Sequence, residues 1–421
     1  MNYNYHSRTT CRVCEADELL PVMNLGDQPL ANSLLQTPND PEEKVPLTLV
    51  FCPKCALLQI KETVAPEAMF KNYLYFSSVS QGILDNARDA YYEATWRKPL
   101  NENSLIVEIA SNDGYLLKNY KNDGFKVLGI DPAENIAKVA NEAGIPTECA
   151  FFTAKVADRL LDETDGADII HANNVLAHVA DTNDFVCGIA DLLKRDGLAV
   201  IEVPYMGKMI QNREFDTIYH EHLCYFSLES LTELFMRHGL YIQDVQMLDI
   251  HGGSLRLFVR KAIFRHTKPN ANVEFLHKQE EDLGIRDYKF YENFANDCNS
   301  MVRSLKDLLW ALRGNSRRVV GYGASAKGST LMNYAGLGLF LDYVIDKSPH
   351  KQGLYTPGTH LKIHHPNTLL LDRPNYALLL TWNFKGEISR DSEQYLKGGG
   401  RFICPIPNVE IIDRPLPKNL I

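Results

Sequence analysis

Eight consecutive residues, Tyr219 to Phe226, read YHEHLCYF, which places two histidines, a carboxylate and two tyrosines in one short stretch. A histidine can take a proton near neutral pH, and a phenol can hydrogen-bond a developing oxyanion. The stretch is not an HExxH zinc site, because Cys224 stands where the second histidine would be needed. It reads as extended, with His220 and His222 turned apart, which argues against a joint metal site. The residue types alone leave two readings open: one histidine or carboxylate facing a ligand beside a tyrosine hydroxyl, or a polar loop with a structural histidine.

A second constellation lies near the N-terminus. Of nine cysteines, four form two CxxC pairs, Cys11/Cys14 and Cys52/Cys55, separated by 37 residues; Cys149, Cys187, Cys224, Cys298 and Cys404 are scattered. A CxxC turn aims two thiolates at one point, and two such turns complete a tetrahedral site. In a reducing compartment such pairs read as zinc ligands, with four unligated buried cysteines as the plain alternative. Neither pair opens a helix in a βαβ pattern, so a redox role is disfavoured. Four thiolates leave no position for water, so the metal is structural. The intervening NLGDQPLANSLL is longer than a minimal finger needs and is expected to have its own role.

Two acid–glycine patterns complete the set. The apolar run SLIVEIA leads into SNDG, and Asp131 ends the next run, 23 residues after Glu108, where an acid can bridge the two hydroxyls of a ribose. Ala110 and Asn112 occupy places where glycine is expected, leaving Gly114, so the pattern is a weak cofactor signal. Further on, Gly321-x-Gly323-x-x-Ala326 follows an apolar pair and opens a helix, with Asp346 25 residues after Gly321 and Lys327 available for phosphate. Taken alone this is a dinucleotide fingerprint, and an NAD site is a standing alternative.

The elements that must position these groups fall into three segments. With 421 residues, 45% hydrophobic and 23% charged, the chain is globular and long enough for two or three domains. A net charge of −9 disfavours a broad nucleic-acid or membrane footprint, and no apolar run reaches spanning length. MNYNYHSRTT has neither the basic start nor the apolar core of a signal peptide, so the expected location is cytoplasmic. Residues 1–70 form the cysteine module. Residues 71–265 alternate strand runs (SLIVEIA, FKVLGID, ADIIHAN, LAVIEVP) with helical runs (PAENIAKVANEAG, TNDFVCGIADLLKRDG), which predicts a parallel sheet covered on both faces. Ser227 is placed to cap the helix SLESLTELFMRHG, and YIQDVQML with SLRLFVR predicts an antiparallel hairpin at the sheet edge. Residues 266–421 open with a charged amphipathic stretch over about 270–313 and then start a second α/β pattern.

In order along the chain, CRVC…LGDQPLANSLL…FCPKC, VEIASNDGYLL, IYHEHLCYFS, HGGSLR, VVGYGASAKG and YVIDKSPHKQGLYTPGTHL resemble the sugar C-3 methyltransferases of branched deoxysugar biosynthesis, over nearly the whole length. The resemblance implies an α/β chain with a small N-terminal zinc-binding module, a middle class I S-adenosylmethionine-binding Rossmann-like sheet, and a C-terminal Rossmann-like domain that helps hold a nucleotide sugar. It implies Zn2+ on Cys11, Cys14, Cys52 and Cys55, and S-adenosylmethionine near Glu108, Ala110, Asn112, Gly114, Asp131 and Asn173, with Phe151 or Phe152 against the adenine. Its motif tyrosine matches Tyr219, its glutamate Glu221 and its base His222; position 220, often Asp in relatives, is His220, and His178 matches a histidine that also faces the reaction. In this reading Tyr322, Gly323, Ala324 and Lys327, with Asp346 and Lys351, bind the sugar nucleotide instead of NAD. The implied partner is a dTDP-, GDP- or CDP-linked 4-keto sugar, the implied state a monomer or weak dimer, and nucleic acid and membrane are not expected. The rivals are a nucleic-acid methyltransferase, an NAD-dependent sugar-nucleotide oxidoreductase and an inactive binding module. The charge and the lack of an aromatic–proline amino-methylation signature disfavour the first, and the intact Tyr219, Glu221 and His222 the last.

Overall fold

The computed structural model describes residues 4–70, 76–262 and 268–417, apart from the side chain of His251 in the HGGSLR motif. The segment breaks expected at 70/71 and 265/266 fall on stretches outside the described residues. Three larger sheets and a two-stranded ribbon, Tyr5–Ser7 with Glu62–Val64, organise the described residues. In the N-terminal unit the strands Leu20–Pro29, Lys44–Phe51 and Leu58–Ile60 form an antiparallel meander. Its fourth strand is Cys224–Tyr225, the second half of YHEHLCYF, paired antiparallel with Leu58 and Gln59. The motif is therefore built into the cysteine module, although it lies far away in sequence.

The central sheet has seven strands in the order Leu240–Leu248, Ser254–Lys261, Leu193–Pro204, Ala167–Asn173, Leu105–Ile109, Lys126–Ile130, Thr147–Glu148. The five strands from Leu193–Pro204 to Thr147–Glu148 are parallel, and the final pair forms the expected antiparallel edge hairpin. Strand order reverses around Leu105–Ile109, which opens a crevice beyond its carboxyl end. Apolar residues fill both sheet faces: Val107, Ile170 and Ile201 face one way, Ile106, Ile169 and Val200 the other, all fully buried. The helix expected over 182–197 is shorter. It runs Thr182–Leu192 under an Asp181 cap, and the chain then enters the strand, where Lys194 pairs with Asp168 across the sheet end (2.7 Å). Ser227 caps Leu228–Arg237 in a reciprocal box with Ser230.

The amphipathic stretch is two helices, Ala271–Leu283 and Tyr288–Gly314, divided at Gly284, whose left-handed backbone (φ +73°) ends the first. The C-terminal sheet follows in the order Ile363–His364, Val344–Ile345, Val319–Tyr322, Tyr376–Leu379, Arg401–Cys404, Glu410–Ile412, with only the last strand antiparallel. In chain order this is 3-2-1-4-5-6, the arrangement of dinucleotide-binding sheets. Among the described residues, no helix is long and apolar enough to cross a membrane.

Candidate active site and zinc centre

The four cysteines converge. Their Sγ atoms all lie within 4.8 Å of one another, all four residues are buried, and Cys11–Cys55 and Cys14–Cys52 are each 3.5 Å apart. Zinc–sulfur bonds of about 2.3 Å in a tetrahedron put sulfurs roughly 3.8 Å apart, so the cage fits zinc. Without a cation, hydrogen bonds from Cys11 and Cys55 pull the Cys52 thiol down, and contact with the Cys52 sulfur pushes Cys11 up to about 12. Next to this cage, Arg12 is fully buried, and its guanidinium donates to the Ala180 carbonyl of the central unit (3.0 Å) and, within its own unit, to Thr63 Oγ1 (2.7 Å).

At the crevice of the central sheet the loop after Leu105–Ile109 carries three left-handed residues, Ala110 (φ +56°), Asn112 (+49°) and Gly114 (+78°). Only at Gly114 would a Cβ collide, 2.8 Å from Ile145. The conformation usually reserved for glycine is thus adopted by Ala110 and Asn112 too, at a cost of about 1–3 kcal/mol each that neighbouring bonds must hold. Asp131 supplies them: Oδ2 accepts from Asn112 N (2.9 Å) and Oδ1 from Ala133 N (2.9 Å), while Asn112 Oδ1 accepts from Ser77 N. Burial pushes both Glu108 and Asp131 upward, Glu108 well above the ordinary carboxylate range. Buried atoms without a protein partner, Glu108 Oε2, Ser111 Oγ, Asp113 Oδ1 and Asn173 Oδ1, gather at this strand-end region, the polar lining that an amino-acid nucleoside such as S-adenosylmethionine requires. Of the two adenine candidates, Phe152 is in the core against Phe185, and Phe151 is 38% exposed.

The motif itself folds as a turn, not as an extended chain: His222 N donates to the Tyr219 carbonyl (2.9 Å). In an extended chain residues two apart share a face, so the turn is what separates the histidines. His220 points into the cysteine module, its Nε2 on the Pro46 carbonyl (3.1 Å). His222 faces the central unit. Its Nδ1 lies 2.9 Å from the Thr217 carbonyl, an acceptor only, so Nδ1 carries the proton and donates; Nε2 then accepts from the Tyr219 hydroxyl at 2.8 Å. The tautomer is set by Thr217 and not by Glu221, whose Oε1 instead accepts from Asn32 Nδ2 at 2.7 Å. Burial raises the Glu221 carboxyl and the Asn32 amide opposes that rise. His178, on the single turn Leu176–His178, stacks edge-on to His222 with centroids 4.8 Å apart. Burial pushes it down to about 4, so it stays neutral and brings no positive charge beside His222. A small cleft of about 30 Å3 lies here, lined by His222, Thr217, Glu214, Tyr205, Tyr225 and Gly252.

The C-terminal unit grips the segment that leads into the motif. Lys327 Nζ donates to Glu214 Oε2 (3.2 Å) and lies over the Trp382 ring, whose Nε1–H donates to Asp216 Oδ2 (2.7 Å). Gly323 (φ +98°) is obligatory, since a Cβ would lie 2.5 Å from Thr381. Asp346 accepts from Ala324 N and Ser348 N (both 2.8 Å), and Lys351 Nζ donates to the Ala324 carbonyl (2.8 Å), so both residues shape the glycine turn itself. The Tyr322 ring packs edge-on to Phe402. Sequence reasoning missed Thr217, Asn32, Glu214, Asp216 and Trp382; of these only Asn32 had a signal, through the unexplained length of its loop.

Three known protein families match successive stretches of the chain. Residues 11–70 match a zinc binding domain, residues 86–245 a methyltransferase domain and residues 249–407 the C-methyltransferase C-terminal domain. The chain is 36% identical over 405 residues to the C-methyltransferase NovU of Streptomyces niveus, covering 96% of each chain. A ubiquinone biosynthesis O-methyltransferase of Bartonella quintana is 30% identical over 101 residues, 24% of this chain and 41% of that one. Among solved structures, the magnesium protoporphyrin IX methyltransferase of Synechocystis PCC 6803 with bound S-adenosylmethionine overlaps 45% of this chain and 86% of its own, at 14% identity and a TM-score of 0.32, a likeness too loose to build on. By its near full-length match to a C-methyltransferase and its three matched domains, the chain belongs to the S-adenosylmethionine-dependent C-methyltransferases that carry an N-terminal zinc-binding domain.

Proposed function

We propose that the methyl acceptor is C-3 of a nucleotide-linked 4-keto-deoxysugar and that His222 is the base. A carbon attacks a sulfonium methyl group only when it carries negative charge, and a ketone at C-4 acidifies the C-3 hydrogen. The reading rests on one observation: the His222 ring is held between the Thr217 carbonyl and the Tyr219 hydroxyl, with Nε2 as its basic nitrogen. Nε2 takes the C-3 proton, and the electrons of that C–H bond move into the C-3–C-4 bond, placing charge on the ketone oxygen. The Tyr219 hydroxyl is the donor at hand for that oxygen, a contact that strengthens only as charge develops. Bound S-adenosylmethionine supplies the electrophilic methyl group, in the crevice bounded by Glu108, Asn112, Asp131 and Asn173. Glu221 orients a sugar hydroxyl, His178 remains a neutral neighbour, and the turn around Gly323 with Lys327 and Lys351 holds the nucleotide. The three functional segments are residues 1–70, 71–265 and 266–421.

The experiment is a methyl-transfer assay with labelled S-adenosylmethionine and a panel of dTDP-, GDP- and CDP-linked 4-keto-deoxysugars, with the product located by NMR. A new methyl carbon bonded to C-3 is expected for one nucleotide series. Methylation at oxygen, or equal turnover of the 4-hydroxy sugars, would overturn the reading.

A further inference from the structure

The segment between the two CxxC pairs does more than close the zinc module. After the strand Leu20–Pro29 it passes Glu221 and reaches the C-terminal unit, where Leu35 exchanges both backbone hydrogen bonds with Tyr355 (2.9 and 2.8 Å). Further along, both oxygens of Glu42 accept from Gly358 N (2.8 and 2.9 Å). The strap is thus fastened at its root by the zinc sheet and at its far side by the third unit. Between the two anchors stands Asn32, an exposed residue whose amide reaches back to the buried carboxylate of Glu221, 189 positions away.

We propose that Asn32 is a positioning residue for Glu221, fixing the orientation of that carboxylate toward the sugar; the proposal rests on the role given to Glu221 above. A carboxylate buried among apolar neighbours needs a donor to hold both its charge and its direction. The Asn32 amide is such a donor, and it comes from a different unit, so the carboxylate takes this orientation when the strap is seated.

A double-mutant cycle on the full-length zinc-loaded enzyme tests this, using Asn32→Ala, Glu221→Ala and the pair. Loss of a hydrogen bond to a charged group predicts a fall in kcat of about 10- to 100-fold for Asn32→Ala. The KM for S-adenosylmethionine should stay within about twofold, since the change lies in the sugar site. The double variant should be no slower than Glu221→Ala alone. A strap that merely folds badly would multiply the two losses, and that outcome overturns the proposal. So does full activity of Asn32→Ala beside an impaired Glu221→Ala, which leaves the role of Glu221 standing. Full activity of Glu221→Ala would instead remove the underlying reading. Should Asn32→Ala lose its zinc, Asn32→Leu keeps much of the size of the side chain but carries no donor and no charge, and it is expected to show the same dependence on Glu221.

Discussion

The Thr217 carbonyl oxygen lies 2.9 Å from Nδ1 of His222, and this contact decides which nitrogen of the ring is basic. With the proton on Nδ1, Nε2 is left as the acceptor, beside the Tyr219 hydroxyl. The Thr217 carbonyl is in turn fixed from the C-terminal side, because Lys327 and Trp382 hold Glu214 and Asp216 just ahead of it.

If His222 removes the C-3 proton, His222→Ala should slow methyl transfer by about 10²–10⁴-fold while both substrates still bind. The same variant should stop exchange of the C-3 hydrogen with deuterated solvent, measured by NMR with S-adenosylhomocysteine bound. Tyr219→Phe should slow exchange by about 10²–10³-fold, the usual cost of one oxyanion donor. His220→Ala should leave exchange intact, since that ring faces Pro46. Exchange that survives in His222→Ala would move the base elsewhere, with His178 the next candidate.

The zinc cage predicts a coupling that the cysteines alone do not suggest. Metal analysis should find one zinc per chain, and Cys55→Ser should destabilise the N-terminal unit, because binding energy here is folding energy. In the proposed reaction no thiolate takes part, yet activity should fall in step with zinc content. The strand Leu58–Ile60 leaves the second CxxC turn and pairs directly with Cys224–Tyr225, just after the Tyr219–His222 turn. A zinc-free variant with full activity would separate the two.

Much of this is legible in the sequence. CxxC turns, apolar runs and a capping serine act locally, so Cys11, Cys14, Cys52, Cys55, the sheet strands and Ser227 all declare themselves. The contacts that orient the site do not act locally. Asn32 and Glu221 are 189 positions apart, and Trp382 and Asp216 are 166 apart; no spacing rule joins them. Thr217 was invisible for another reason, since it acts through its backbone carbonyl, which every residue has. The turn at Tyr219–His222 was misread as extended because its aromatic residues also favour strands. The amphipathic stretch gave no proline to mark its break, and Gly284 was the signal.

Asp131 lends itself to a test that separates the ligands. Its two oxygens hold Asn112 and Ala133 by their backbone N–H groups and keep the left-handed loop in shape. Asp131→Ala should weaken S-adenosylmethionine binding by about 1.5–3 kcal/mol, or roughly 10- to 150-fold in Kd by titration calorimetry. Sugar-nucleotide affinity should hold within about twofold. Equal losses for both would mean that the two ligands do not occupy separate units.

Asp216 gives a stability prediction with a definite sign. The residue is fully buried, and burial pushes its carboxyl up to about 6 from 3.8, against the pull of Lys327 and the Trp382 hydrogen bond, with Glu214 adding to the rise. Between about pH 4 and 6 the folded protein keeps a proton that the unfolded chain has released. Stability from this group is therefore lost as pH rises through that window, and the full cost persists at neutral pH. Asp216→Asn cannot ionise and retains an oxygen to accept from Trp382 Nε1. The variant should match the parent near pH 4 and exceed it at pH 7.5 by up to about 3 kcal/mol, read as a higher Tm. A parent more stable than the variant at pH 7.5 would show that attraction to Lys327 outweighs the burial of the charge, and that the carboxylate is held ionised in the interface between the central and C-terminal units.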